Sequence, residues 1–455
     1  MNHLSESKAG AAGRARQRAF PGITRLVAVE AGEWPALLWS FGYFFALLCG
    51  YYIVRPMRDE MGIAGGVEHL QWMFSGTFLA MLAVVPFFGW VSRCFAPRQF
   101  LPYVYYFFIG NLLLFFVLFK SGLAAAWVAR AFFIWTSVFN LFIVSVFWSF
   151  MADIFTTPQA KRLFGVIAAG GTAGALAGPA LTATLVLALG PANLLLLSAA
   201  FLGWTVLCIH RLVAWRASAG APPRAAVAGR PGLPDAADDK ALGGSVLAGI
   251  RLIGRSPYLI GICLLMLLFT TLATFLYFQQ AHIVRASFDD PSKRTALFAV
   301  MDFAVNALTL CIQVLLTGRI VKTLGLDWSL ALIPLLLVAG FFALWLAPGL
   351  AVIAVVQVAR RAGDYAVMRP CREMLYVVLG REEKYKAKNF IDTVVYRAGD
   401  AVSAWVYAGM QGLGLTAAGI SLTAVPLALA WAWICHRLGR RQEQMAARQA
   451  AGDGG

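Results

Sequence analysis

Long apolar stretches broken by short polar segments dominate the chain. They lie near 35–55, 70–92, 101–119, 124–152, 163–189 and 192–213, and again near 258–282, 295–317, 328–347, 350–379, 389–412 and 415–437. Each is about the 20 residues that a helix needs to cross a bilayer. Between the two sets, residues 215–255 are rich in Ala, Gly, Pro and Arg, show no apolar periodicity and read as a flexible linker. The pattern predicts an all-α integral membrane protein with 12 transmembrane helices in two six-helix halves. The expected divisions are a basic tail over 1–33, bundles over 34–214 and 256–438, the linker over 215–255 and a second tail over 439–455.

Composition agrees. Hydrophobic residues make up 60% of the 455 positions, mean hydropathy is +0.72 and only 13% of residues are charged, about half the share usual in soluble domains. The net charge of +16 would suit nucleic acid, but much of it flanks the apolar runs, where basic residues set topology, so no nucleic-acid partner is expected. Arg93, Arg98, Lys161, Arg162, Arg319, Lys322, Arg381, Lys384, Lys386 and Lys388 fall on one side together with both tails, whereas the segments near 190, 348 and 413 carry no Lys or Arg. Both tails and the linker are therefore expected in the cytoplasm. Two places break the rule: the end of the first run, and the segment after the seventh, which carries Arg285, Lys293 and Arg294. The seven cysteines are scattered without a CxxC pair and the five histidines do not cluster, so no metal, cofactor or disulfide framework is expected. With no nucleophile–base set visible, an enzyme is the poorest fit.

The charges inside the apolar runs carry the chemistry, because a charge at bilayer depth costs roughly 2.5–3.5 kcal/mol even by the lower estimates and so marks a partnered or functional site. YYIVRPMRD (51–59) ends the first run and YAVMRPCRE (365–373) lies in the tenth; Arg55, Pro56, Arg58 and Asp59 match Arg369, Pro370, Arg372 and Glu373. This repeat suggests duplicated units placing two cations and an anion at related positions, with a proline kink beside them. Arginine holds phosphate or carboxylate in bidentate fashion and stays charged at physiological pH. Arg55, Arg58, Arg369 and Arg372 are therefore the expected anion-binding residues, with Asp59 and Glu373 as their gate partners. The alternative is purely structural pairing, since Arg369 and Glu373, like Arg360 and Asp364, are one helical turn apart.

Elsewhere, the fourth run holds Arg130, Asn140 and Asp153, the eighth Asp302 and Asn306, and the eleventh Asp392, Arg397 and Asp400. Asp302, Asp153, Asp392 and Arg397 are candidate gating or coupling residues; Arg397 and Asp400 could pair within one helix, leaving Asp392 to find a partner elsewhere. Gly170, Gly174 and Gly178 form a small-residue stripe suited to close helix packing. Six runs, a cytoplasmic linker and six more runs is the layout of the major facilitator architecture, in which runs 1, 4, 7 and 10 line a central cavity; the twin motifs fall on two of them.

At runs 4–5 and 10–11 the sequence resembles the ATP:ADP antiporter family of plastids and obligate intracellular bacteria. The resemblance rests on Pro370-Cys371-Arg372-Glu373-Met374-Leu375-Tyr376, on Lys384, Lys386 and Lys388 followed by Ile391, Asp392 and Arg397, and on Ala160-Lys161-Arg162 with Phe164 before the glycine-rich run. Arg58 and Asp59 resemble the basic–acidic pair that the family carries at the end of its first helix. Arg58 and Arg372 stand where the family uses lysine, and Asp400 stands in place of an expected basic residue. The resemblance implies a secondary transporter; a monomer is expected, and the high Ala, Gly and Arg content suggests a bacterial inner membrane. The transporter would move an anionic, nucleotide-like or phosphorylated solute, with ATP and ADP as candidates. The alternatives are a permease for another organic anion or a drug-like solute, and a non-transporting sensor or scaffold.

Overall fold

The computed structural model describes residues 29–30, 32–94, 97–218, 252–254 and 256–452. Most of the expected N-terminal tail and of the 215–255 linker, and the side chains of Arg93, Arg98 and Lys384, lie outside these residues. The described chain is helical: α1 (Trp34–Ala64), α2 (Leu70–Cys94), α3 (Pro97–Ser121), α4 (Ala125–Ile154), α5 (Thr157–Leu189) and α6 (Pro191–Ser218), then α7 (Pro257–Ser287), α8 (Pro291–Leu315) and α9 (Thr317–Leu346). The tenth run is split into α10a (Leu350–Gly363) and α10b (Arg369–Leu375) by a π-helical turn, Asp364–Met368; the eleventh into α11a (Arg381–Phe390) and α11b (Tyr396–Gly412) by a second, Ile391–Val395. The last helix is α12 (Ala417–Gly452). Nine helices among the described residues are long and apolar enough to cross a membrane.

Local chemistry explains where the helices begin. Proline, which has no N–H to satisfy, opens α1, α5, α7 and α8. Thr156 and Gln159 form a reciprocal capping box at α5, and the Ser256 and Asp290 side chains accept from backbone N–H groups at the starts of α7 and α8. Helix α6 runs through Ser218 and α12 through Gly452, so regular structure continues past the boundaries expected at 215 and 439.

The helices sort into two bundles, each with its own core. One is built on Tyr43, Phe132, Phe139 and Phe147, the other on Phe275, Phe278, Tyr407 and Trp431. In the first, α5 lies against α1 with almost no space between the backbones. A Cβ at Gly170, Gly174 or Gly178 would stand 2.6, 2.2 or 2.6 Å from the carbonyl oxygens of Phe41, Phe45 and Cys49. The glycine stripe is therefore a contact surface for α1.

Proline acts differently in the twin motifs. Pro56 lies inside continuous α1. Pro370 follows the first π turn, and because it has no N–H, the carbonyl of Ala366 one turn back loses its usual donor. Thr317 Oγ1 donates to that carbonyl at 2.9 Å, and Gln313 Nε2 to the carbonyl of Tyr365 at 3.2 Å. Side chains from neighbouring elements thus satisfy the broken backbone.

Candidate functional site

The chain alternates direction, so the two Arg-Pro motifs end at opposite faces. The two positions are therefore inverted with respect to one another and do not share a face. Arg58 stacks 4.1 Å over the Phe133 ring and pairs with Asp59 at 3.1 Å, and Asp59 accepts from the Tyr277 hydroxyl at 3.1 Å. Arg372 instead donates to Met266 Sδ at 3.1 Å. Tyr277 and Met266 are both on α7, about 16 Å apart along its axis at 1.5 Å per residue. Tyr258, at the start of α7, donates its hydroxyl to the Leu375 carbonyl, which puts the end of α10b at the face where α1 and α7 begin. We call this the tail face and the opposite one the far face.

A cavity of about 1110 Å³ lies between the bundles. Its α1 lining runs from Phe44 to Arg58 and its α10 lining from Arg360 to Arg372, so it reaches from mid-depth toward the tail face. Among the described residues, the ion pairs tying the bundles together lie at mid-depth or beyond it toward the far face: Arg55–Asp302 at 3.7 Å, Arg294–Glu60 at 2.9 Å and Arg285–Glu68 at 2.9 Å. Trp405 adds a hydrogen bond to Ser75 Oγ. The Glu68 carboxyl, held by a hydrogen bond to its own backbone and by Arg285, lies below its ordinary pKa. Glu60 is fully buried, and losing one partner of a buried ion pair costs about 3–5 kcal/mol. Glu60→Gln should therefore loosen the far face. In a cysteine-free background, a cysteine at Ser137 should become reactive toward impermeant thiol reagents applied from that side.

Seven arginines and three aspartates line the cavity. Five of the arginines have carboxylate partners. Asp302, 1% exposed, holds Arg55 from one bundle and Arg361, at 2.5 Å, from the other. Arg58 pairs with Asp59, Arg369 with Asp364 at 3.4 Å, and Arg397 with Asp400 at 3.9 Å. Two arginines have no carboxylate within salt-bridge distance among the described residues. Arg360 donates to Gln357 Oε1 at 3.2 and 3.0 Å, and Arg372 has only the Met266 sulfur, with its buried Nε unpartnered. A cation held at a cavity wall without a counter-charge is where an anion gains most.

The structure brings Arg55, Arg58, Arg369, Arg372, Asp392 and Arg397 to this one cavity. It separates Arg55 and Arg58, at mid-depth and beyond, from Arg369 and Arg372, nearer the tail face. Glu373 pairs with Lys388 at 2.5 Å rather than with an arginine. Asp153 stands at the tail-face end of α4, off the cavity wall, with its carbonyl accepting from Arg216. Arg130 donates to the Gly65 carbonyl at 2.8 Å and lies over Trp127, so it belongs to the far face. Arg360, Arg361, Asp364, Tyr365 and Asp400 join the lining. For Arg360, Arg361 and Asp364 the signal in the sequence was the dense charge at 360–364, just upstream of the motif, and for Asp400 its spacing from Arg397.

Residues 239–441 match the family model of the TLC ATP/ADP transporters. ADP,ATP carrier protein 1 of Chlamydia muridarum (strain MoPn / Nigg) is 26% identical over 196 residues, which cover 39% of this chain and 36% of the relative. Over this stretch, less than half of its length, the chain is similar to the TLC ATP/ADP transporters. The match spans about a third of that curated relative's length. The family-model match includes the π turns, Arg369, Arg372, Asp392 and Arg397, which belong to the charged wall of the cavity.

Solved structures show the fold. The nucleoside transporter NupG matches with a TM-score of 0.59 at 12% identity, covering 90% of this chain and 98% of that one. An auto-inhibited POT family peptide transporter matches with 0.59 at 14% identity (88% and 96% covered). A bacterial homologue of the human lysosomal transporter Spinster, solved inward-facing and unoccupied, matches with 0.52 at 13% identity (89% and 98% covered). This chain is thus an integral membrane protein with the helical fold of major-facilitator-like transporters.

Proposed function

We propose that this protein is a secondary transporter that carries an anionic, nucleotide-like solute across a bacterial inner membrane by alternating access. In this reading twelve segments cross the bilayer, both tails are cytoplasmic, the tail face is the cytoplasmic face and the working unit is a monomer. The observation that carries it is the cavity, open toward one face and sealed toward the other, with seven arginines against three aspartates on its wall. With Asp59 and Asp302, which hold three of these arginines from behind the wall, the excess is two positive charges, and it suits an anionic solute. The relationship to the ATP/ADP transporters points to ATP and ADP, and a charged, water-accessible cavity is not what a scaffold or an enzyme of this fold would need.

The site divides by role. Arg372 and Arg360 take the solute's anionic groups. Arg55 and Arg361, bridged by Asp302, couple the bundles; an incoming anion competes with Asp302 for them, so occupancy and reorientation are linked. Arg369 with Asp364, Arg397 with Asp400, and Asp392 tune the mouth. Asp59 with Arg58 belongs to the far-face gate, and Glu373 with Lys388 to the tail-face rim. Thermal-shift titration of the purified protein with ATP, ADP, pyrophosphate and uncharged nucleosides tests this. Polyphosphates should raise the melting temperature and nucleosides should leave it unchanged. Stabilisation by drug-like cations and not by phosphates would overturn the reading.

A further inference from the structure

The charge on the cavity wall is unevenly distributed. All three lining aspartates and five of the seven arginines come from α10 and α11, in the second bundle. On the first bundle the charges are Arg55 and Arg58, on α1. Helix α4 contributes a neutral strip instead, on successive turns: Thr136 and Ser137, then Asn140, then Ser145. A phosphorylated solute facing the cationic wall would turn its uncharged part toward this strip.

Not every polar group there is available. Thr136 and Ser137 donate to the carbonyls of Phe132 and Phe133, at 2.8 and 3.2 Å. The cavity's other amide side chains are engaged too: Asn306 donates to the Ala175 carbonyl at 2.7 Å, Gln313 to the Tyr365 carbonyl at 3.2 Å, and Asn389 Oδ1 accepts from Thr393 at 3.3 Å. Of the four amides on the wall, Asn140 alone has no hydrogen-bond partner among the described residues. Asn140 lines the cavity. It is also at a useful depth. Its chain neighbour Phe139 packs on Tyr51 with ring centroids 6.3 Å apart, and Tyr51 precedes Arg55 by one turn, about 6 Å.

We infer that Asn140 is a specificity residue that reads the hydrogen-bonding edge of the solute's nucleobase, while the arginines of the opposite wall hold its phosphates. A primary amide presents a donor beside an acceptor, which pairs with an edge offering the reverse, as adenine does with N6–H₂ and its adjacent ring nitrogen. The edge inferred is the one bearing N7: there adenine offers N6–H₂ beside N7, whereas guanine offers the acceptors O6 and N7 and leaves the amide oxygen facing one of them. The inference rests on the nucleotide reading above, and its test separates the two.

The test is competition binding by ATP, GTP, CTP and pyrophosphate on purified wild type, Asn140→Ala and the gentler Asn140→Ser, each verified as monodisperse. Wild type should rank ATP above GTP by about tenfold, the worth of one well-placed neutral hydrogen bond. Both variants should bring the nucleotides to within about twofold of one another while binding pyrophosphate as wild type does; a structural role for Asn140 would not give that split. If pyrophosphate binds but wild type does not rank the bases, or if the variants keep the wild-type ranking, the inference is overturned and the transport reading survives. If wild type binds neither nucleotides nor pyrophosphate, both are overturned.

Discussion

Arg372→Ala should reduce solute uptake by about a hundredfold or more while leaving insertion and fold intact. Removing one side of a desolvated charged contact costs about 2–5 kcal/mol, and a hundredfold corresponds to about 2.7 kcal/mol. Arg372 lines the cavity and, among the described residues, has no carboxylate partner; its one hydrogen-bond contact is to a methionine sulfur. Its loss therefore leaves no buried acid stranded, and the fold has little to lose. Asp302→Ala should behave differently, because it strands Arg55 and Arg361 together at a buried position. That variant should lose thermal stability as well as uptake. Radiolabelled-nucleotide uptake and melting of the detergent-solubilised protein, measured on both variants, distinguish the cases. Lys in place of Arg372 should restore part of the uptake, since it keeps the charge but not the planar bidentate fork.

Gly174→Leu should have the largest effect on the fold. A Cβ at 174 would stand 2.2 Å from the Phe45 carbonyl oxygen and 3.0 Å from the Cys49 nitrogen. Both are backbone atoms of α1, which cannot turn aside as a side chain can. Ordinary overpacking costs about 1–3 kcal/mol, and here whole helices must separate along a seam that also uses Gly170 and Gly178. The variant should fail to purify as a monodisperse species. Gly165→Leu, on the same helix, is the control: a Cβ there meets nothing within 4 Å, and that protein should purify normally. Equal behaviour of the two variants would refute the close α1–α5 contact.

Much of this was legible in the residues. The apolar runs and the glycine stripe each report a local or pairwise constraint, and each has its counterpart in the helices. The cavity arginines were visible because charge inside an apolar run is costly and so conspicuous. Their division was not. Two motifs alike in sequence end on opposite faces because α1 and α10, an odd and an even run, point in opposite directions, so likeness of sequence is not likeness of depth. Nor did the spacing of Arg369 and Glu373 reveal that a π turn pairs Arg369 with Asp364 and leaves Glu373 to Lys388. The far-face seal did leave a trace. Arg285 and Arg294 broke the basic-residue pattern, and both are held by acids at the end of, or just beyond, the first helix, Glu68 and Glu60.

The most direct measurement is uptake of labelled ATP and ADP into proteoliposomes holding this protein, with and without unlabelled nucleotide inside, and with Arg372→Ala in parallel. Saturable uptake that is accelerated by internal nucleotide and lost in Arg372→Ala is the predicted result. Absence of uptake from vesicles shown to contain folded protein, or undiminished uptake by Arg372→Ala, would contradict it.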